Sequence, residues 1–339
     1  MSQLHPNPLP QPRDLRDVIT PGRGRVDTSE YLARVRRGQQ SVMPSLLQLV
    51  NREHSGDWRK PSTVCIVGGG PSLLESVGAL RRLIKRGAKV LAVNKSHDWL
   101  LKRGLRCDYA ALLDPKDWVA GYIDLDLAAA KDTRRKAGRF WADPTYLIAS
   151  QCHDATLAKF KHHPRAYLWH AAAGVGESEI LRGEFPGEMW VNVAGASVIG
   201  LRAVGLAHGL GFRAIHLFGI DGSMKPPTAT DGAPALYAYA KPHIDPTWNP
   251  FEVKLNSGWR RAFLSNQHMA RSVYEFEDSM KDWDAQIQAG RMAPFCLRVH
   301  GDPAHAAIAM VAAGMGVHAE AHENAKYGAP PPVMARLLP

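Results

Sequence analysis

Along most of the chain, short runs of β-branched and apolar residues alternate with stretches in which apolar positions recur at helical spacing. Thr63 to Val67 is such a run and ends at three glycines, and Leu73 to Arg86 then takes up a helical period. The alternation continues with Lys89 to Val93, a short helix at Ser96 to Lys102, and Tyr109 to Leu113 closing on Asp114 and Pro115; Thr145 to Ala149 and Ala166 to Trp169 add further strands. A second unit with the same logic begins at Val193. Gly195, Ala196 and Ser197 lead into a small-residue helix, Val198 to Leu210, that stops at Gly211, and the strand Ala214 to Phe218 then ends in Gly219, Ile220, Asp221 and Gly222. Leu264 to Ala289 reads as a helix and Phe295 to Val299 as a last strand, leaving through His300, Gly301 and Asp302. Strands separated by helices predict an α/β fold with a mostly parallel sheet, right-handed crossovers and helices on its faces.

The flanks read differently. Residues 1–26 combine proline, glycine and arginine with little apolar period and are expected to form a flexible basic arm; residues 27–60 are expected to add a helical segment, broken at Pro44. The main domain is expected over 61–318. Within it, 222–262 is proline-rich and aromatic and reads as a substrate loop or lid, and 319–339 reads as a peripheral tail.

Composition narrows the class. The chain has 339 residues, 45% hydrophobic and 22% charged, which is ordinary for a globular protein. No stretch is apolar for long enough to span a bilayer. The first residues lack the hydrophobic core of a secretory signal, so the expected location is the cytoplasm. Four well-separated cysteines without a CxxC pair give no zinc or redox signature, and no histidine spacing marks a metal. The net charge of +10 favours anionic partners, among which a small phosphorylated molecule is preferred to nucleic acid.

In a parallel sheet the strand exits share one edge, and ligands bind in the crevice there. The candidates follow from that rule. Gly68, Gly69, Gly70, Pro71 and Ser72 place bare backbone and a helix start after the first strand, a geometry that receives a phosphate or else merely turns the chain. The run is neither the GxGxxG of dinucleotide folds nor the GxxxxGK of P-loops. Asn94 can hydrogen-bond a ribose or base, or cap its loop; Asp114 can accept from a sugar hydroxyl, or cap the chain before Pro115. Asp221 is set between glycines where a carboxylate can face a ligand, and His243 and His300 are rival general bases.

Three segments, GGGPSL, AVNKSHDWLLKRGLRCDYAALLDP and GASVIGLRAVGLAHGLGFRAIHLFGIDGS, resemble in order the signatures of the MptE-like superfamily. That group includes archaeal 6-hydroxymethyl-dihydropterin pyrophosphokinases and bacterial motility accessory factors that glycosylate flagellin, and is distantly similar to sialyltransferases using CMP-sialic acid. The resemblance implies a Rossmann-like fold, nucleotide phosphate at Gly70 to Leu73, the nucleoside near Asn94 and Asp114, Ser197 near the donor, and a loop histidine, placed on His243, as base. On it rests the expectation of a nucleotide-binding transferase, most specifically a glycosyltransferase with a CMP-nonulosonate type donor and a sugar or protein hydroxyl as acceptor. Two alternatives stay open. One is an ATP-dependent diphosphokinase acting on a pterin-like alcohol with Mg2+; the other is a non-catalytic nucleotide-binding or assembly protein. Oligomeric state is not legible in the sequence.

Overall fold

The computed structural model describes residues 28–41, 43–53, 62–130, 143–172, 179, 183, 192–194, 197–223, 249–254, 260–265, 267–301, 318–321 and 333–336. Two helices lead in, α1 (Thr28–Gln39) and α2 (Leu46–Glu53), with Pro44 between them as expected. The segment at the break is used: the Pro44 carbonyl accepts from the Leu168 amide at 2.8 Å, which ties the helical extension to the sheet.

The body then runs β1 (Thr63–Val67), α3 (Ser72–Lys85), β2 (Lys89–Val93), α4 (Ser96–Lys102), β3 (Tyr109–Leu112), a 3-10 turn (Asp117–Tyr122), α5 (Leu125–Ala129), β4 (Thr145–Ala149), α6 (Asp154–Phe160), β5 (Ala166–Ala172) and β6 (Asn192–Ala194). It continues through α7 (Ile199–Gly209), β7 (Ala214–Phe218), β8 (Asn249–Lys254), β9 (Arg260–Ser265), α8 (Gln267–Gln288), β10 (Cys296–Val299), β11 (His318–Ala321) and β12 (Val333–Arg336). The sheet order is β11-β12-β10-β7-β1-β2-β3-β4-β5-β6. All neighbours from β10 to β6 pair in parallel, so the fold is an α/β, Rossmann-like sheet flanked by helices. Strands such as β1, with Val64 to Val67 fully buried, read as continuous apolar runs because helices cover both faces.

Two features depart from the sequence reading. The 222–262 stretch contains β8 and the first half of β9, an antiparallel pair, and Leu264 belongs to β9 rather than to the helix after it. The tail supplies β11 and β12, which extend the sheet antiparallel at the β10 edge. The arm 1–26, residues 224–248 and Asp302 lie outside the described residues. No helix among the described residues is long and apolar enough to cross a membrane.

The order decides where a ligand fits. Successive strands step away from β1 on one side as far as β6, then the chain returns and lays β7 against the other side of β1. The two halves diverge there, and that reversal opens a crevice at the carboxyl edge.

Candidate active site at the sheet reversal

A cleft of about 330 Å³ lies at this reversal. It collects the β1 exit (Gly68 to Pro71), Asn94 after β2, Asp114 after β3, and the β7 exit (Gly219 to Ser223). Ser197, Val198, Ile199 and Gly200 bring the start of α7 to it, and Met269 and Ser272 bring α8. Of the residues singled out in the sequence, Gly68, Gly69, Gly70, Pro71, Asn94, Asp114, Ser197 and Asp221 therefore share one cavity.

The glycines are there because two turns interlock. Gly68 donates its amide to Phe218 O and Gly70 to Gly219 O, each at 2.8 Å, so the β1 and β7 exits are laced together. A Cβ on Gly70 would stand 2.5 Å from Asp221 Cγ, and one on Gly219, whose φ is +61°, 2.8 Å from Gly68 O. Only residues without a Cβ allow this approach.

This lacing corrects the expectation of open amides after Gly70. Asp221 accepts from the Ser72 amide at 2.8 Å through Oδ2 and from the Ser72 hydroxyl at 2.5 Å through Oδ1. Leu73 N donates to Gly70 O and Leu74 N to Pro71 O. The positive end of α3 is thus already met by a carboxylate, and Asp221, which also lines the cleft, serves as its cap in trans. Ser72 itself is buried and does not line the cleft.

The start of α7 differs. Val198 caps it without a side-chain hydrogen bond, and its first residues line the cleft. First-turn amides have no partner inside their helix, so this end presents donors to an anion. Beside it, Ser197 donates both its amide, at 2.8 Å, and its hydroxyl, at 2.7 Å, to Glu275 Oε2 of α8.

Across the cleft stand two acceptors that the described residues leave unsatisfied. Asn94, held at φ 53° where asparagine is tolerated, has its Oδ1 buried without a hydrogen bond. Asp114 is exposed at the cleft rim and makes no hydrogen bond or ion pair among the described residues. Desolvation raises its carboxyl above the usual carboxylate range against the opposing pull of Lys116 and Arg34. No lysine or arginine lines the cleft among the described residues, so the chain's net positive charge does not reach this wall.

His300 does not line the cleft. Its ring stacks on Phe218 at 4.0 Å between centroids, and its Nε2 lies 2.8 Å from His216 Nδ1. Burial, then the proximity of His216 and Arg298, holds its imidazole far below the ordinary range, and burial with Arg298 brings His216 down to about 4. Both rings stay neutral in the folded protein while unfolded ones take up protons from about pH 6.5. The stability they contribute is therefore full above that value and is lost as pH falls toward about 4. His300→Phe is expected to show a smaller loss of urea midpoint than the parent on going from about pH 7 to about pH 4.5; an identical loss would contradict this reading of the pair. His243, the rival base, lies outside the described residues.

Glu275, Met269 and Ser272 were missed by sequence reasoning. Their helix was legible, but no local signal shows that its first turns reach the sheet reversal. Among the described residues no group of three or more His, Cys, Asp or Glu side chains could hold a metal ion.

No curated protein matches the chain. Among solved structures, the MAf glycosyltransferase from Magnetospirillum magneticum AMB-1 is similar at a TM-score of 0.44 and 15% identity, over 77% of this chain and 35% of that one. The chain thus spans about a third of that protein's length. The family model described as 6-hydroxymethylpterin diphosphokinase MptE-like matches residues 40–226, a stretch that runs from the end of α1 to just past the β7 exit and carries most of the cleft. That match covers more than half of the sequence, and the chain belongs to the MptE-like family.

Proposed function

We propose that the chain is a transferase that holds a nucleotide-activated donor in the cleft at the β1/β7 reversal. The observation that carries this reading is the buried, unsatisfied Asn94 Oδ1, with the exposed Asp114 carboxylate beside it on the exit of the adjacent strand, both lining the cleft. A buried acceptor such as Asn94 Oδ1 costs about 1–3 kcal/mol when left unpaired. A hydroxyl-bearing nucleoside relieves that cost, and the first turn of α7 then meets its phosphate.

Glycosyl transfer is the first reading. The donor is a nucleotide sugar of the CMP-nonulosonate type, and His243, which follows the cleft-lining Ser223 in sequence, is the proposed base for the acceptor hydroxyl. Diphosphate transfer from ATP is the second, favoured by the family's description and by the absence of lysine and arginine from the described wall. A triphosphate brought there needs its own Mg2+, and Mg2+ requires only one or two protein carboxylates beside phosphate and water. Asp114 is the carboxylate free to serve.

Thermal-shift measurements with CMP, CDP, UDP, ADP and ATP, each with and without Mg2+, separate these. A ligand at about 100 times its Kd adds about 2.7 kcal/mol of stability. Stabilisation by CMP without metal supports the sugar reading, and stabilisation by ATP only with Mg2+ supports the diphosphokinase. A flat panel removes both in favour of a non-catalytic protein.

Asp114 provides a second check. Because its folded pKa is raised, ionising it opposes folding above that pKa, and the penalty disappears as pH falls through it. Asp114→Asn is expected to raise Tm at neutral pH, with the gain fading in acid, while weakening nucleotide binding. Such an exchange of stability for function marks a residue kept for its ligand. A variant that is both less stable and binds normally would count against the assignment.

A further inference from the structure

We propose that the wall built by α7 and α8 is a hydrogen-bond-accepting surface for a polyhydroxylated part of the substrate, and that Glu275 is the positioning residue that sets this polarity. The proposal rests on the reading of the cleft as a nucleotide site and adds the chemistry of the group being transferred.

A serine hydroxyl has one proton and two lone pairs, and what it offers a ligand depends on where the proton goes. At Ser197 it goes to Glu275 Oε2 at 2.7 Å, and the Ser197 amide holds the same oxygen at 2.8 Å. A bond to a carboxylate is about twice as strong as one between neutral groups, so that proton stays committed. Glu275 is fixed in turn by Arg271 one turn earlier on α8, whose Nε donates to Oε1 at 2.9 Å. A further cleft hydroxyl, on α8, is committed in the same sense: Ser272 donates to Met269 O at 2.8 Å. Both serines line the cavity.

The oxygens that face a ligand from this wall are therefore acceptors. Phosphate oxygens, being acceptors themselves, find no side-chain donor there and are left to the amides of α7. Sugar hydroxyls are donors and match. Arg271 offsets the charge of Glu275, so the wall favours neutral hydroxyls over a cation. With the nucleoside on Asn94 and Asp114, the group lying against α7 and α8 is the one that leaves with the acceptor, and its chemistry is that of a sugar rather than a diphosphate.

Calorimetric titration of two probe pairs tests this: CMP against CMP-N-acetylneuraminate, and UDP against UDP-N-acetylglucosamine. The parent protein is expected to bind one sugar conjugate about tenfold more tightly than its bare nucleotide, the effect of one or two good hydrogen bonds. Ser197→Ala and Glu275→Ala are expected to erase that advantage while leaving the bare nucleotide's Kd unchanged, and Glu275→Gln, which keeps an acceptor oxygen, to restore part of it. Thermal melts establish that each variant folds. A merely structural role for Glu275 weakens both members of a pair alike, and that result overturns the proposal, as does a conjugate that binds no tighter than its nucleotide. If none of the four ligands binds, the nucleotide reading of the cleft falls, and this proposal with it.

Discussion

Gly70→Val is expected to destabilise the protein by about 1–3 kcal/mol, the usual cost of forcing extra carbon into a packed site, and to abolish nucleotide binding. The new Cβ would lie 2.5 Å from Asp221 Cγ and Oδ2 and 2.9 Å from Gly219 O, and all three atoms belong to two groups that cannot swing away. Asp221 is held by two hydrogen bonds from Ser72, and Gly219 O accepts the amide of Gly70 itself. Relief comes only by separating the β1 exit from the β7 exit, which breaks the edge of the cleft. Urea unfolding gives the stability term and calorimetric titration the binding term. Full nucleotide affinity in a folded Gly70→Val protein would show that the turn is remote from the ligand.

Asp221→Ala is the second large effect. It strips the Ser72 amide and hydroxyl of their acceptor inside a buried site, and a buried donor left unmade costs roughly 1–3 kcal/mol. The loss should exceed that of Asp221→Asn, whose remaining oxygen still accepts from the amide. A double-mutant cycle with Ser72→Ala sharpens the point, because once the carboxylate is gone removal of the hydroxyl costs little more. Strict additivity of the two variants in urea midpoints would mean that the pair does not act as a unit.

These two residues also show what the sequence could and could not reveal. The strand–turn–helix beginning at Thr63 was legible because a β-branched run, a glycine triplet and a helical period signal locally. Parallel order follows from such units, and with it the convergence of Asn94, Asp114 and the two glycine turns. The partnership of Asp221 with Ser72 was not legible, since it joins residues 149 positions apart. It exists only because β7 returns to pair with β1. The carboxylate that the sequence set facing a ligand is also the cap of α3, and the more open helix start is that of α7, beside the Ser197 that the sequence had marked.

His300 stands apart from the cleft for a related reason. A strand exit attracts attention, yet β10 lies beyond β7, outside the reversal, and its exit packs behind the glycine turn: a Cβ on Gly301 would stand 2.6 Å from Ser72 Cβ. Asn94 gave no local sign of its left-handed backbone, which sets the orphaned amide oxygen apart from an ordinary loop cap. Glu275 was hidden by the same long return that brings α8 to the cleft.

Hydrogen–deuterium exchange with and without the stabilising nucleotide tests the central claim most directly, because it reports where on the chain the ligand sits. Protection is expected in peptides covering Gly68 to Pro71, Asn94, Leu113 to Pro115 and Ser197 to Gly200 together, the segments that meet at the β1/β7 reversal. Protection that spares all four and falls on another face of the sheet would contradict it.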